Sequence, residues 1–441
     1  MAEKHNICLL NDSFPPVIDG VANAVVNYAY EIERKHGHAI VATPEVPGAD
    51  DSGFPFPVIR YPSLDTRNMV GYVTGLPYSP ELSMKLKDED VRLLHSHCPV
   101  ASTILARKLR ETMDIPLVLT YHTMFDREIS KALHSRILQG EALIALANNL
   151  NACDEVWAVS RGAGESLREI GYTGELVVMD NGVDLPRERV SREEIAQVTE
   201  GFDLPEDVPV FLFVGRLMWY KGIRIIIDAL KRLKEQGKDF RMVFIGSGGD
   251  EAEIKECSSG LCMDNRILFI GAVRDREDLR AWYCRADMFL FPSVADTNGL
   301  VVREAAACSL ASVLVKGSCA AEGVTGGRNG FLIEEDAASL ADLLSELHGR
   351  KDFMRKVGET ASEELYLSWA DAVSRANERY GIVIENYRSG KYRPHISLTD
   401  GFFLMSGMLM EIMGHFGEIG KNVSDIFVNP IDHIEKWFDL E

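Results

Sequence analysis

Val210-Phe211-Leu212-Phe213-Val214-Gly215-Arg216-Leu217 is the stretch from which the fold can be read outward. Five apolar residues in succession, without polar alternation, describe a strand buried on both faces. Strands of that kind belong to parallel sheets covered by helices. A glycine ends the run, and helical spacing follows from Tyr220 to Gln236. Downstream, 241–245, 267–270, 288–291 and 311–315 repeat the short apolar run; upstream, 7–10, 39–42, 93–95, 117–120, 155–159 and 176–178 do the same, with a helical pattern over 21–33. Short apolar runs alternating with helices predict two successive doubly wound α/β sheets. Between about 184 and 209 the chain turns charged and irregular, with Pro186, Pro205 and Pro209, which reads as an interdomain connection. The expected domains are 1–190, 191–364 and a helical region 365–441. In the last, 365–387 reads as helix interrupted near Ser368-Trp369. The Met-rich tail from Gly401 has the three-and-four spacing of an amphipathic helix.

The 441 residues are too many for one ordinary core and suit two. Hydrophobic residues make up 46% and charged residues 26%, a globular composition. No apolar run reaches the ~20 residues of a membrane span. The N-terminus runs into Asn6-Ile7-Cys8-Leu9-Leu10, a first core strand and not a signal peptide. None of the 8 cysteines forms a Cys-x-x-Cys pair, so reduced thiols and a cytoplasmic location are expected. A formal net charge of −20 argues against a nucleic-acid partner, because a phosphate polymer needs a basic footprint. A few placed donors can still hold one small phosphate.

Three segments carry chemistry. Gly215 and Gly246 each follow a strand end, where open parallel sheets bind ligands; Gly246-Ser247-Gly248-Gly249 reads equally as a plain tight turn. Arg216 and Lys221-Gly222 put a guanidinium fork and an ammonium beside the same strand end, a pairing that suits a diphosphate. Phe291-Pro292-Ser293 ends another strand. In Asp296-Thr297-Asn298-Gly299-Leu300-Val301-Val302-Arg303-Glu304 a helix begins near Gly299, and its first amides lack intrahelical partners. Asp296 alone reads equally as a helix-start charge or a ligand. Glu304, inside an Ala-rich apolar segment, is harder to explain as a surface charge.

Gly215-Arg216 with Lys221-Gly222, then Pro292-Ser293, then an acid and Glu304 separated by seven residues, resembles the ordered signature of the GT-B retaining glycosyltransferases of family four. Asp154-Glu155-Val156-Trp157-Ala158-Val159-Ser160 and Asn181-Gly182-Val183-Asp184 are similar to lesser segments of that family, and the resemblance spans about 5–388. It implies two Rossmann-like domains facing across a cleft, with the donor held mainly by the second. It also implies transfer of a hexose from a nucleotide diphosphate sugar with retention at the anomeric carbon. By the same resemblance Arg216 and Lys221 grip the donor diphosphate, Glu304 binds the ribose, and the backbone of Asn298, Gly299, Leu300 and Val301 brackets phosphate and sugar. Gly215 and Gly246 belong to the donor loops, and Val273 lies near the base, with Arg274 beside it. Gly20, in Pro15-Pro16-Val17-Ile18-Asp19-Gly20-Val21, matches the family's N-terminal glycine loop, and its helix start is expected to approach the diphosphate from the other domain. His122, in Thr120-Tyr121-His122-Thr123, matches the active-site histidine near the sugar; on residues alone it reads also as a core histidine. His122, Asp296, Arg216 and Lys221 form the expected catalytic set.

The family usually places Glu where Asp296 stands, a side chain longer by one bond, ~1.5 Å. Diacylglycerol glucosyltransferases of bacteria look similar here, so a lipid leads the acceptor candidates and a UDP-sugar the donors, with peripheral contact at the inner membrane face. Acidic residues outnumber basic ones over 1–185, so no global attraction to anionic lipid follows. Arg107, Lys108 and Arg110 read best as the exposed face of one helix. The Met-rich tail is a candidate for membrane docking or homo-oligomerisation. No Asp-x-Asp motif stands at a strand end, and no essential metal or other cofactor is expected. The alternatives are a non-catalytic partner subunit of this shape, or transfer to a protein, polysaccharide or small molecule.

Overall fold

The computed structural model describes residues 4–17, 19–65, 73–132, 135–263 and 265–392. The Met-rich tail therefore lies outside the described residues. The chain divides into two compact units: 1–158 with 164–179 and 373–441, and 159–163 with 180–372.

In the first unit β1 (His5–Leu10), β2 (Gly37–Pro44) and β3 (Val58–Tyr61) run outward in one direction. A short antiparallel ribbon, β4 (Ser63–Leu64) with β5 (Thr74–Gly75), follows. The chain then crosses back to β6 (Leu93–Ser96), β7 (Leu117–Tyr121), β8 (Glu155–Ala158) and β9 (Leu176–Val178). The sheet order is β3-β2-β1-β6-β7-β8-β9, parallel throughout. Ile7, Cys8, Leu9 and Leu10 are fully buried because β1 is central and helices cover both faces. The strand order reverses between β1 and β6, where Leu10 pairs with Ser96.

The second unit repeats the plan with β10 (Val210–Val214), β11 (Arg241–Ile245), β12 (Ile267–Gly271), β13 (Met288–Phe291), β14 (Ser312–Val315) and β15 (Phe331–Ile333). Their order is β12-β11-β10-β13-β14-β15, again all parallel, so the reversal falls between β10 and β13. The helix Ile223–Glu235 buries Ile223, Ile226, Ile227, Leu230 and Leu233 on one stripe against this sheet's core.

Most expected strands are present within a residue or two. The periodicity missed the edge strands β3 and β15 and the two-residue strands β4 and β5; in β3 the apolar run is broken by Arg60. The stretch 184–209 lies within the second unit, just after the chain enters it at 180; it is irregular as expected except for the helix Arg192–Val198. A reciprocal capping box starts that helix, with Ser191 Oγ accepting from Glu194 N at 3.2 Å and Glu194 Oε2 from Ser191 N at 2.7 Å. Its charge marks an exposed helix, a signal that composition alone cannot separate from a linker. The expected interruption near Ser368-Trp369 is a true break, between the helices Lys351–Glu364 and Trp369–Arg388.

Candidate donor and sugar sites

Open parallel sheets hold ligands beyond the carboxyl ends of their strands, at the point where strand order reverses. In the second unit that point is flanked by the loops leaving β10 and β13. These loops carry Gly215-Arg216 and Pro292-Ser293.

After β10 the chain makes a 3-10 turn, Trp219–Lys221, and enters the next helix through Gly222 at φ 78°. A β-carbon at Gly222 would sit 2.2 Å from the Pro292 carbonyl oxygen, so glycine lets the two loops touch. That contact delivers Lys221 to Asp296: Nζ donates to Oδ1 at 2.6 Å, and the two side chains are 12% and 20% exposed. Ser293 Oγ donates to the other oxygen, Oδ2, at 2.5 Å. Asp296 is thus held on both oxygens. Arg216 projects outward with its guanidinium 5.8 Å from the Tyr220 ring centre, and Lys221 Nζ lies 5.5 Å from the same ring. Two cations therefore stand at the reversal point, one fixed by a carboxylate and one exposed.

Glu304 sits in a second cluster. The Arg276 guanidinium donates to Oε1 at 2.8 Å and the Tyr283 hydroxyl to Oε2 at 2.9 Å, while Arg276 also pairs with Asp184. Burial pushes the Glu304 carboxyl up, and the Arg276 charge and both hydrogen bonds pull against it. The same neighbours, Glu304 and then Asp184, hold the Arg276 guanidinium more firmly charged against its own burial. Tyr283 stays a neutral donor, its pKa raised by burial and then by the Glu304 charge. A carboxylate has about four lone-pair sites, so both oxygens keep capacity for a diol. Sequence reading missed Arg276 and Tyr283, because a residue on the helix Arg276–Arg285 shows nothing locally of a partner on another helix. Among the described residues no hydrogen bond joins this cluster to Lys221 and Asp296.

Gly299 begins the helix Leu300–Ala307 at φ 62° and packs against Ala320, whose β-carbon would lie 2.9 Å from one added at Gly299. Asn298 donates to the Val159 carbonyl, and its own Oδ1 is buried without a partner among the described residues. Leu300 and Val301 are half-buried in the first turn, where amides lack intrahelical acceptors. Gly246 follows β11, its amide bonded to the Gly271 carbonyl at 2.8 Å. Val273 lines a different hollow of about 300 Å³ with Ile270, Phe202 and Trp282, which none of Arg216, Lys221, Asp296 or Glu304 borders. Arg274 is exposed.

In the first unit the helix Gly20–Glu31 begins beyond β1. Its N-cap is Asp19, whose Oδ1 accepts from Val21 N at 2.8 Å and Ala22 N at 2.7 Å. Two amides of the expected phosphate-facing start are thus already bonded to a carboxylate. A β-carbon at Gly20 would meet nothing within 4 Å. His122 leaves the end of β7, 8% exposed, and burial lowers its pKa to about 4, with the Asp19 charge acting weakly in the other direction. Its Nε2 lies 2.9 Å from Nδ1 of His97, at the end of neighbouring β6. His97 was not foreseen, although His95-Ser96-His97 marks a strand end as His122 does.

Arg107 and Arg110 correct the expected exposed face. Both are buried: Arg107 Nη1 donates to Asn149 Oδ1 at 3.0 Å, and Arg110 grips Asp154 through Nε and Nη2 at 2.7 and 2.6 Å. No basic patch forms from these three residues. No helix among the described residues is long and apolar enough to cross a membrane.

Two family models match this chain: Glycosyltransferase Family 4 over residues 18–187, and Glycosyl transferases group 1 over 208–350. D-inositol 3-phosphate glycosyltransferase 2 of Catenulispora acidiphila is 27% identical over 323 residues, 68% of this chain and 73% of that protein. Alpha-monoglucosyldiacylglycerol synthase of Acholeplasma laidlawii is 22% identical over 392 residues, 83% of this chain and 97% of that protein. Among solved structures, Anabaena HepE in complex with UDP is similar with a TM-score of 0.69 at 20% identity, covering 86% of this chain and 100% of that one. Sucrose-phosphate synthase from Thermosynechococcus elongatus reaches 0.69 at 20% identity, covering 87% and 100%. With two doubly wound sheets and a cation-lined reversal point in the second, the chain belongs to the family four glycosyltransferases and is a glycosyltransferase of the GT-B fold.

Proposed function

We propose that this enzyme transfers a hexose from a uridine diphosphate sugar to a lipid acceptor, with retention at the anomeric carbon and without an essential metal ion. The observation that carries the donor half is the pairing of Lys221 with Asp296 at the β10–β13 reversal point, beside exposed Arg216. An ammonium has three donors, so Lys221 can keep Asp296 and still take a phosphate oxygen. Asp296, held by Lys221 and Ser293, then offers a fixed carboxylate to a sugar hydroxyl. Glu304 takes the ribose diol. As the bond to the sugar breaks, negative charge grows on the diphosphate, and Arg216, Lys221 and the amides at Leu300 and Val301 stabilise it without a change of position.

Uridine is favoured because HepE binds UDP and UDP-glucose. The lipid acceptor rests on the alpha-monoglucosyldiacylglycerol synthases of Acholeplasma laidlawii and Streptococcus pneumoniae. A polar inositol phosphate is the second reading, resting on the D-inositol 3-phosphate glycosyltransferases. The test pairs UDP-glucose, UDP-galactose and GDP-mannose with diacylglycerol vesicles, monoglucosyldiacylglycerol vesicles or inositol 3-phosphate. Mass spectrometry reads the product and proton NMR its anomeric configuration. Transfer from UDP-glucose to either lipid as the α-anomer is expected. Transfer only to inositol phosphate would favour the second reading, and neither donor hydrolysis nor transfer would overturn both.

A further inference from the structure

His97 and His122 leave the ends of adjacent parallel strands, and the β6–β7 pairing sets their rings side by side. The ring centres are 5.2 Å apart at 19° between planes, and Nδ1 of His97 meets Nε2 of His122 at 2.9 Å. Other rings fix His97. His95 lies 4.0 Å from it centre to centre and is itself bonded at both nitrogens, to the Tyr380 hydroxyl at 2.6 Å and Thr120 Oγ1 at 2.7 Å. Tyr28 meets His97 edge-on at 5.2 Å. The pair is buried, and burial keeps both imidazoles neutral.

Between two neutral rings one hydrogen must serve the contact, and its owner follows from the far side of His97. Nε2 of His97 is buried with no partner among the described residues. If His122 donated, His97 would carry its proton on Nε2 as an orphaned buried N–H. If His97 donates from Nδ1, Nε2 is left with a bare lone pair. Buried acceptors without a partner are tolerated better than buried donors, so the second arrangement prevails.

We infer that His97 is a positioning residue that donates from Nδ1 to His122 Nε2 and thereby fixes His122 as the Nδ1–H tautomer. On that assignment the hydrogen His122 offers a sugar oxygen is the one on Nδ1, and the nearby Asp19 charge favours a proton on the ring. Its Nε2 is withheld from any role as a base. The inference rests on reading His122 as a residue at the sugar.

The test uses the full chain with ¹⁵N-labelled histidine rings, His122 being assigned by its loss in His122→Asn. Expected is a protonated Nδ1 and a bare Nε2 on His122. In His97→Asn the carboxamide N–H replaces the Nδ1 donor, and the tautomer and most of the turnover return. In His97→Phe the His122 signals move toward the Nε2–H form and kcat falls ~10- to 100-fold, the scale of one misplaced hydrogen bond, with donor KM little changed. A protonated Nε2 on wild-type His122 would overturn the inference, and this spectrum decides even where His97→Phe fails to fold. An unmoved tautomer in folded His97→Phe overturns it too. A moved tautomer with full turnover leaves the assignment standing and removes His122 from the reaction.

Discussion

Asp296 accepts one hydrogen bond on each carboxylate oxygen, from Lys221 at 2.6 Å and from Ser293 at 2.5 Å, so the shorter acid in this position is locked in place by the loop after β10 and by its own loop after β13. Lys221→Ala is expected to lower kcat/KM more than ~100-fold, the scale of losing one preorganised donor to developing charge. Asp296→Asn lowers it also, and the double variant loses less than the sum because the two act as one unit. Steady-state rates on all three variants check this; additive losses would show that the pair is not functionally joined.

Glu304→Gln keeps the shape and removes the charge that faces Arg276. Hydrogen bonds to charged groups contribute about 1.5–3 kcal/mol, so donor KM is expected to rise ~10- to 100-fold with a smaller change in kcat. Titration with UDP alone separates binding from turnover. An unchanged UDP affinity would place the ribose elsewhere.

Buried neutral histidines make stability depend on pH. His122 titrates at about 4 in the folded chain, below its ordinary value of 6.5, and His95 and His97 lie well below theirs, all through burial first. Below pH 6.5 the unfolded chain takes up protons that the folded chain refuses. Stability is therefore full above about 6.5 and falls as pH drops toward 4, by on the order of 3 kcal/mol for His122 alone. Denaturant melts across this window should show the decline, and His122→Asn should make it shallower, with the His95 and His97 contributions left.

Asp154→Ala is a control that reads stability without touching the donor site. Arg110 and Asp154 side chains are 6% and 1% exposed, so removing the acid strands a buried guanidinium, costing about 3–5 kcal/mol. The midpoint of unfolding should drop while donor KM stays at the wild-type value.

Both sheets were legible from short apolar runs, because a central parallel strand such as Val210–Val214 is buried on both faces and must be apolar at every position. Gly215, Arg216, Lys221, Asp296 and Glu304 were legible because each follows or precedes a strand or helix end by a fixed few residues. Local order therefore determined which side chains are delivered to the ends of which strands.

Pairing was decided only by the fold. Lys221 and Asp296, Glu304 and Arg276, and His97 and His122 are distant in sequence and meet because parallel pairing and helix packing bring separate loops together. Arg110 looks like a surface charge until Asp154 appears beside it. Periodicity reports which face of an element is apolar, whereas the partner of a buried charge is set by packing between elements, which no local window of sequence contains.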